Sequence, residues 1–310
     1  MSVVGELSTL RRRVKGGKEE TPDNKVAYLF LAPWLIGLFG ITIGPMIASL
    51  VLSFTDYNLL QPPNWIGLEN FVAMANDARL HNSLRVTFVY VIVSVPLQLA
   101  LALGIALLLD RGMRGLAFYR SIFYLPSLLG SSVAVAILWR QIFGTTGLVN
   151  QVLQLLGVQS PPGWISNPDT ALGTIILLHI WTFGSPMIIF LAGLRQIPRM
   201  YYEAAEVDGA SRWTRFLSIT LPLLSPIIFF NLVLQLIGAF QSFTQAFIVS
   251  GGSGGPSDST MFYTLYLYQK GFGQLDMGYA SAMAWLLVVI IAGFTAVNFL
   301  AAKYWVFYDD

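Results

Sequence analysis

The sequence predicts an all-α polytopic membrane protein with six transmembrane helices and both termini in the cytoplasm, and three observations carry that prediction. Of its 310 residues, 55% are hydrophobic and only 11% are charged, against roughly 25% charged in ordinary soluble domains. A soluble chain of this size would need more charge to cover its surface, so the solvent implied is lipid. Six apolar stretches contain no Asp, Glu, Lys or Arg, and each is near or above the ~20 residues that cross a hydrocarbon core as helix. The Lys and Arg residues outside them fall on alternate sides in a fourteen-to-four ratio.

Taken in order, residues 1–25 are a polar cytoplasmic tail. The apolar run behind it is far longer than the roughly 7–15 residues of a signal-peptide core, and Glu6, Glu19 and Glu20 argue against a transit peptide. The transmembrane domain spans 26–307, with a cytoplasmic C-terminus at 308–310. Its uncharged runs are Val26 to Phe54, Val86 to Leu109, Ser121 to Trp139, Thr170 to Leu194, Phe216 to Ser257 and Met277 to Ala302. The fifth is 42 residues long, too long for one span, and its surplus from about Ser250 is the Gly-rich loop GGSGGPSDS. Basic residues at 11–25, 111–120, 195–215 and 303 form the set of fourteen, and Arg79, Arg85, Arg140 and Lys270 the set of four. Because Lys and Arg concentrate in cytoplasmic loops, this bias sets the orientation. Trp65, Trp164, Tyr304 and Trp305 stand where interfacial aromatic belts form. Gly40 and Gly44 have the GxxxG spacing that permits close helix approach.

Several chemistries are excluded. The absence of cysteine removes disulfides, thiolate metal sites and cysteine nucleophiles. No metal-binding HExxH occurs, and no carboxylate lies in a span to do acid–base work. His179 is the one ionisable side chain of note in the spans. Alone, it reads as an interhelical hydrogen-bonding residue more readily than as a base or ligand. Charge within the membrane marks proton relays and ion coupling, so its absence argues against a proton-coupled transporter. None of the five lysines sits in a GxxxxGK[ST] phosphate loop, so if this protein moves something uphill the nucleotide is expected to be hydrolysed by another chain. A net charge of +2 with no basic–aromatic run gives no argument for nucleic acid, and none is expected as a partner.

The loop at 195–222, RQIPRMYYEAAEVDGASRWTRFLSITLP, is the polar exception between spans four and five. Pro198 suits a first helical turn, Gly209 a left-handed C-terminal cap, and Ser211 the N-cap of the helix feeding span five. This spacing predicts a short surface helix, a sharp turn and a new start. Ala204, Ala205, Gly209 and Ala210 leave little bulk on the turn, which suits either a knob fitting a groove or a plain amphipathic connector.

Glu203-Ala204-Ala205, Asp208-Gly209-Ala210, Phe216, Ile219 and Leu221-Pro222 resemble the EAA loop of bacterial ABC importer permeases. SFTDYN (Ser53 to Asn58), WIGLENF (Trp65 to Phe71) and FLAGLRQIP (Phe190 to Pro198) are similar to the carbohydrate branch, the maltose and glycerol-phosphate permease type. VSGGSGGP (Val249 to Pro256) departs by two extra residues from the LTGGGP typical there. The resemblance covers about residues 26 to 307. It implies type I ABC importer permease architecture in the cell inner (plasma) membrane. It also implies that 203–205 and 208–210 couple to a cytoplasmic ATPase subunit present in two copies. A second permease subunit and an extracytoplasmic solute-binding lipoprotein are further implied partners. ATP, with Mg, is then bound by the ATPase and no cofactor by this chain.

Asn231, Gln235, Gly238, Ser242 and Gln245 are spaced 4, 3, 4 and 3 apart, one face of a helix, with Gln241 beside them. Neutral amides and hydroxyls suit a sugar, and equally suit hydrogen bonds between helices. The resemblance places sugar contacts near this part of span five and on a Trp of span four that Trp181 matches within one residue. The implied substrate path is therefore Trp181, Gln235 and Ser242, with Asn231 and Gln241. The expected function is the membrane subunit of an ATP-driven sugar importer. The alternatives are an uncoupled channel or facilitator, or the same importer type carrying glycerol-phosphate or a polyol.

Overall fold

A computed structural model describes residues 24–112 and 115–307, so most of the tail expected at 1–25, and the C-terminus at 308–310, lie outside the described residues. Among the described residues there is no strand; the chain is helical, with one isolated bridge between Thr55 and Trp65. It divides into two units, Met1–Val51 and Leu52–Asp310.

The first unit holds span one. Helix α1 (Asn24–Gly37) runs through a π-helical turn, Leu38–Ile43, into α2 (Gly44–Leu52). Its apolar part, Tyr28–Leu52, has 25 residues, about 38 Å at 1.5 Å per residue and enough for a hydrocarbon core of about 30 Å. The GxxxG pair falls on the π turn, where the Gly44 N–H reaches Phe39 O.

In the second unit, the SFTDYN and WIGLENF stretches are tied together before the helices begin. The buried Asn70 amide donates to Ser53 O and Thr55 O, both at 2.9 Å, and Asp56 accepts from the backbone and side chain of Asn64 at 2.7 and 3.0 Å. Trp65 stacks on Phe54 with centroids 5.4 Å apart. Helix α3 (Glu69–Asn76) leads to Asp77, whose Oδ1 caps α4 (Ala78–Asp110) by accepting from Arg79 N and Leu80 N.

Helix α4 is the centre of this unit. Its buried face carries Tyr90, Val91, Val95, Ala102 and Ala106. Against it pack α8 (Pro168–Trp181), α9 (Gly184–Leu194), α12 (Leu221–Phe240) and α14 (Tyr263–Tyr268). The remaining elements are α5 (Leu116–Leu129), α6 (Val133–Ile142), α7 (Leu148–Leu155), α10 (Arg199–Val207), α11 (Arg212–Arg215), α13 (Thr244–Val249) and α15 (Met277–Trp305). A π turn, Phe216–Thr220, joins α11 to α12, so Arg212–Phe240 is one helix of 29 residues. Outward-facing Val289, Val297 and Leu300 on α15 are exposed as lipid-facing side chains should be, since lipid solvates them as well as a core would.

Among the described residues, four uninterrupted helices are long and apolar enough to cross a membrane, and two bent pairs bring the number to six if each pair is one crossing. Two of the six expected spans are these bent pairs. The run Ser121 to Trp139 is broken by 95° between α5 and α6, where Ser132 leaves helical geometry to cap α6 through Val135 N. Span four bends by 40° between α8 and α9. Span five stops at Phe240, ten residues before the surplus was expected. There Thr264 Oγ1 donates to the Ser242 carbonyl that the helix has released, and α13 starts anew.

On the face holding the α4 N-terminus, Asp77 Oδ2 accepts from Tyr266 OH at 2.6 Å and Tyr279 OH at 2.7 Å. Burial alone would push this carboxyl up. The two phenols and the Leu80 and Arg79 backbone N–H groups outweigh it and hold Asp77 below its ordinary 3.8. Arg79 makes a two-pronged pair with Asp258 at 2.8 and 3.0 Å, and the Asn82 amide donates to Asp258 O. The Gly-rich loop is thereby fixed to α4, although Ser257 and Asp258 both have positive φ.

Candidate functional site: an exposed capped helix and a buried polar seam

Helix α10 ends as its sequence predicts. Ala210 N–H bonds Ala205 O at 2.8 Å and Gly209 N–H bonds Glu206 O at 3.0 Å, the paired 6→1 and 5→2 bonds of a Schellman cap. Gly209 sits at φ +76°, in the left-handed region, and a Cβ placed there would meet nothing within 4 Å. Ser211 Oγ then accepts from Thr214 N at 3.1 Å and starts α11. Arg215 pairs with Glu206 at 3.0 Å, and Tyr202 OH bonds Thr220 Oγ1 at 2.9 Å, fastening α10 across the turn to the root of span five. What this leaves outward is a small, polar knob. Glu203, Ala204, Asp208 and Gly209 are exposed, Ala205 and Ala210 half-buried, and Val207 at the tip is 89% exposed. Among the described residues, the Glu203 and Asp208 carboxylates have no ion-pair partner. They are free to meet groups of another chain.

The span-five stripe is divided. Asn231, Gln235 and Gly238 lie on α12, but Ser242 and Gln245 lie past its end, so the five do not share one helical face. Asn231 is buried, with its amide bonded to Ile227 O at 3.1 Å. Ser242 Oγ donates to Gln245 Oε1 at 3.3 Å, and Gln245 donates to Gly130 O at 3.2 Å, at the bend between α5 and α6. Gln235 is half-buried and Gln241 exposed, and among the described residues neither side-chain amide has a hydrogen-bond partner. Trp181, half-buried at the end of α8, lies 5.9 Å from Trp139, whose indole N–H donates to Thr174 O.

A second stripe, on α4, is absent from the expectations above. Ser83, Thr87, Tyr90, Ser94 and Gln98, spaced 4, 3, 4 and 4, are all buried on one face. Thr87 Oγ1 accepts from Tyr263 N, and Tyr90 OH bonds His179 Nδ1 at 3.0 Å, the interhelical role expected of that histidine. The Gln98 amide reaches His179 O at 3.0 Å and Thr182 O at 3.1 Å. Ser127 Oγ donates to Thr182 O and accepts from Ser185 N, both at 2.8 Å. These bonds satisfy the backbone groups freed where α8 breaks from α9, groups that in a membrane would otherwise go unpaired. The break is also tightly packed: a Cβ on Gly184 would collide with Phe123 O, and one on Gly130 with the Thr182 methyl. Counting polar positions at helical spacing in span two would have found this seam.

A family model described as "Binding-protein-dependent transport system inner membrane component" matches residues 70–305, from Asn70 to the end of α15. The Bacillus subtilis (strain 168) protein named "Probable ABC transporter permease protein YesP" is 52% identical over 298 residues, 96% of each chain. The "Lactose transport system permease protein LacF" of Rhizobium radiobacter is 33% identical over 281 residues, 89% of this chain and 93% of LacF. The "Arabinooligosaccharides transport system permease protein AraP" of Bacillus subtilis (strain 168) is 34% identical, covering 85% of this chain and 84% of AraP. A solved chain from a bacterial alginate ABC transporter in complex with an alginate pentasaccharide-bound periplasmic protein has the same fold. Its TM-score is 0.75 at 22% identity, over 90% of this chain and 94% of that one. The chain belongs to the family of inner membrane components of binding-protein-dependent transport systems.

Proposed function

We propose that this chain is one of two membrane-spanning subunits of an ATP-driven sugar importer, and that α10 transmits the power stroke of a cytoplasmic ATPase subunit present in two copies. The observation that carries the proposal is the exposed, Schellman-capped α10, tied by Tyr202–Thr220 and Glu206–Arg215 to the root of span five. A force on 203–210 is thereby delivered to a transmembrane helix. ATP and Mg belong to the ATPase, because this sequence holds no phosphate loop, and an extracytoplasmic binding lipoprotein delivers the solute.

A sugar is favoured by the lactose and arabinooligosaccharide relatives and by the neutral character of the candidate path. We assign Trp181, Gln235, Gln241 and Ser242 to that path, the indole offering a face to a sugar ring and the amides their unpaired donors and acceptors. Asn231, buried and bonded within its own helix, is assigned to packing around it. The absence of a basic side chain among these residues disfavours an anion such as glycerol-phosphate.

The chain has no cysteine, so one placed at Val207 reports cleanly. It should resist an impermeant maleimide in intact cells, react in inverted vesicles stripped of the ATPase, and be shielded when the ATPase is restored. Reaction from outside the cell, or equal reaction with and without the ATPase, would refute the coupling role. A ligand screen on the cognate binding protein identifies the solute.

A further inference from the structure

Beside the coupling helix lies a cavity of about 520 Å³ lined by Leu107, Arg111, Tyr202, Arg212, Trp213, Arg215, Phe216 and Thr220. Its charge is one-sided: three guanidinium groups face it and no carboxylate is among the lining residues. Arg215 is held by Glu206 at 3.0 Å, with four N–H donors to spare from the guanidinium's five. Among the described residues Arg111 and Arg212 have no acidic partner. Asp110, next in sequence to Arg111, is turned to Arg195 at 3.7 Å and lines a different cavity.

The lining also has an apolar part, made by Leu107, Trp213 and Phe216. Leu107 belongs to the last turn of α4 and Phe216 to the first turns of span five, both within the membrane-crossing helices. Trp213, 67% exposed, lies 5.5 Å from Phe216, an indole where such rings settle at headgroup depth. An occupant must therefore present a phosphate to three arginines and a hydrocarbon to Leu107, Phe216 and Trp213. Guanidinium groups bind phosphate oxygens in pairs, and a free phosphate would leave the apolar wall unfilled.

We propose that this cavity binds the headgroup of an anionic phospholipid of the cytoplasmic leaflet. The proposal rests on the cytoplasmic placement of α10 given above. Tyr202, on the cavity wall, is the residue that bonds α10 to Thr220, so the bound lipid braces the joint through which the coupling helix acts on span five. The content of anionic lipid in the membrane then sets how tightly ATP use and transport are coupled.

The test uses the assembled transporter in nanodiscs of phosphatidylcholine with and without phosphatidylglycerol. In the wild type, a photoreactive phosphatidylglycerol should label peptides containing 107–111 or 212–220, and phosphatidylglycerol should raise solute-stimulated ATPase. In R111Q/R212Q, loss of two charge-assisted contacts should reduce the phosphatidylglycerol retained in native mass spectrometry by about tenfold or more, while R111K/R212K retains most of it. Labelling elsewhere in the wild type overturns the proposal, and this arm holds even if the glutamine variant fails to assemble. So does displacement of the lipid by millimolar inorganic phosphate, which would mark a free-phosphate site. Loss of the ATPase subunit from R111Q/R212Q with its lipid retained would mark a protein interface and equally overturn it. Failure of the Val207 labelling test alone would remove the coupling role and leave the lipid label to be read on its own.

Discussion

Replacing Gly209 with valine isolates the conformation of the turn after α10 from its contacts. Gly209 has φ +76°, and a Cβ there meets no atom of this chain within 4 Å. For the Cβ the cost is therefore backbone strain, about 1–2 kcal/mol for an L-residue in the left-handed region. Valine, branched at Cβ, belongs at the upper end of that range, and a cap worth this much shifts the population of the formed turn by roughly 5–30-fold. Asparagine tolerates the left-handed region and supplies the control. In the reconstituted transporter, Gly209→Val should lower transport and solute-stimulated ATPase together, while the complex still assembles. Gly209→Asn should remain within about twofold of wild type by the same conformational reasoning. If Gly209→Val transports normally, the turn is not part of the coupling element. If asparagine is as damaging as valine, bulk against the partner decides the outcome and the strain argument fails.

Ser127→Ala removes the hydroxyl that both donates to Thr182 O and accepts from Ser185 N. Leaving that amide unpaired should destabilise the complex by about 1–3 kcal/mol, visible as a lower midpoint in thermal unfolding; an unchanged midpoint refutes the role given to the α8–α9 break. Gln235→Leu should weaken transport several-fold with assembly and basal ATPase intact, since each neutral bond to a sugar hydroxyl is worth about 0.5–1.5 kcal/mol. Trp181→Ala should do the same, and poor assembly with normal transport per complex would reassign Gln235 to packing. Asp77 has a pKa lowered below 3.8 in the folded protein, so its stabilisation is complete above the ordinary carboxylate range and is lost as pH falls through the folded value. The stability gap between wild type and Asp77→Asn should therefore be full at neutral pH and close only in strong acid; a gap that closes near pH 6 contradicts the assignment.

Hydropathy and caps made much of this fold legible. The six apolar runs follow from charge exclusion together with apolar composition, since 141–168 is equally free of charge but rich in Gln, Asn, Pro and Gly. The α10 turn follows from Pro198, Gly209 and Ser211, whose roles are local and need no knowledge of the rest of the chain. The breaks were harder to read, because a kink inside an apolar run changes no hydropathy window. Ser132 carried a readable cap signal for the bend before α6, but the break at Thr182 depends on Gln98 and Ser127, which are remote in sequence. The end of span five at Phe240 depends likewise on Thr264. The α4 seam had the same helical spacing as the span-five stripe. It stands out less because Ser, Thr and Tyr blend into apolar sequence more readily than a pair of amides does.

The hydrogen bonds around the α8–α9 break join hydroxyls, a carboxamide and backbone carbonyls, groups without formal charge. A membrane potential performs about 2.3 kcal/mol of work per 100 mV on each elementary charge carried across it. Where nothing charged is displaced, that work vanishes. A break held by neutral bonds therefore gives a membrane potential no formal charge to act on: depolarising the membrane does no such work on these bonds, and their strength is the same at any voltage.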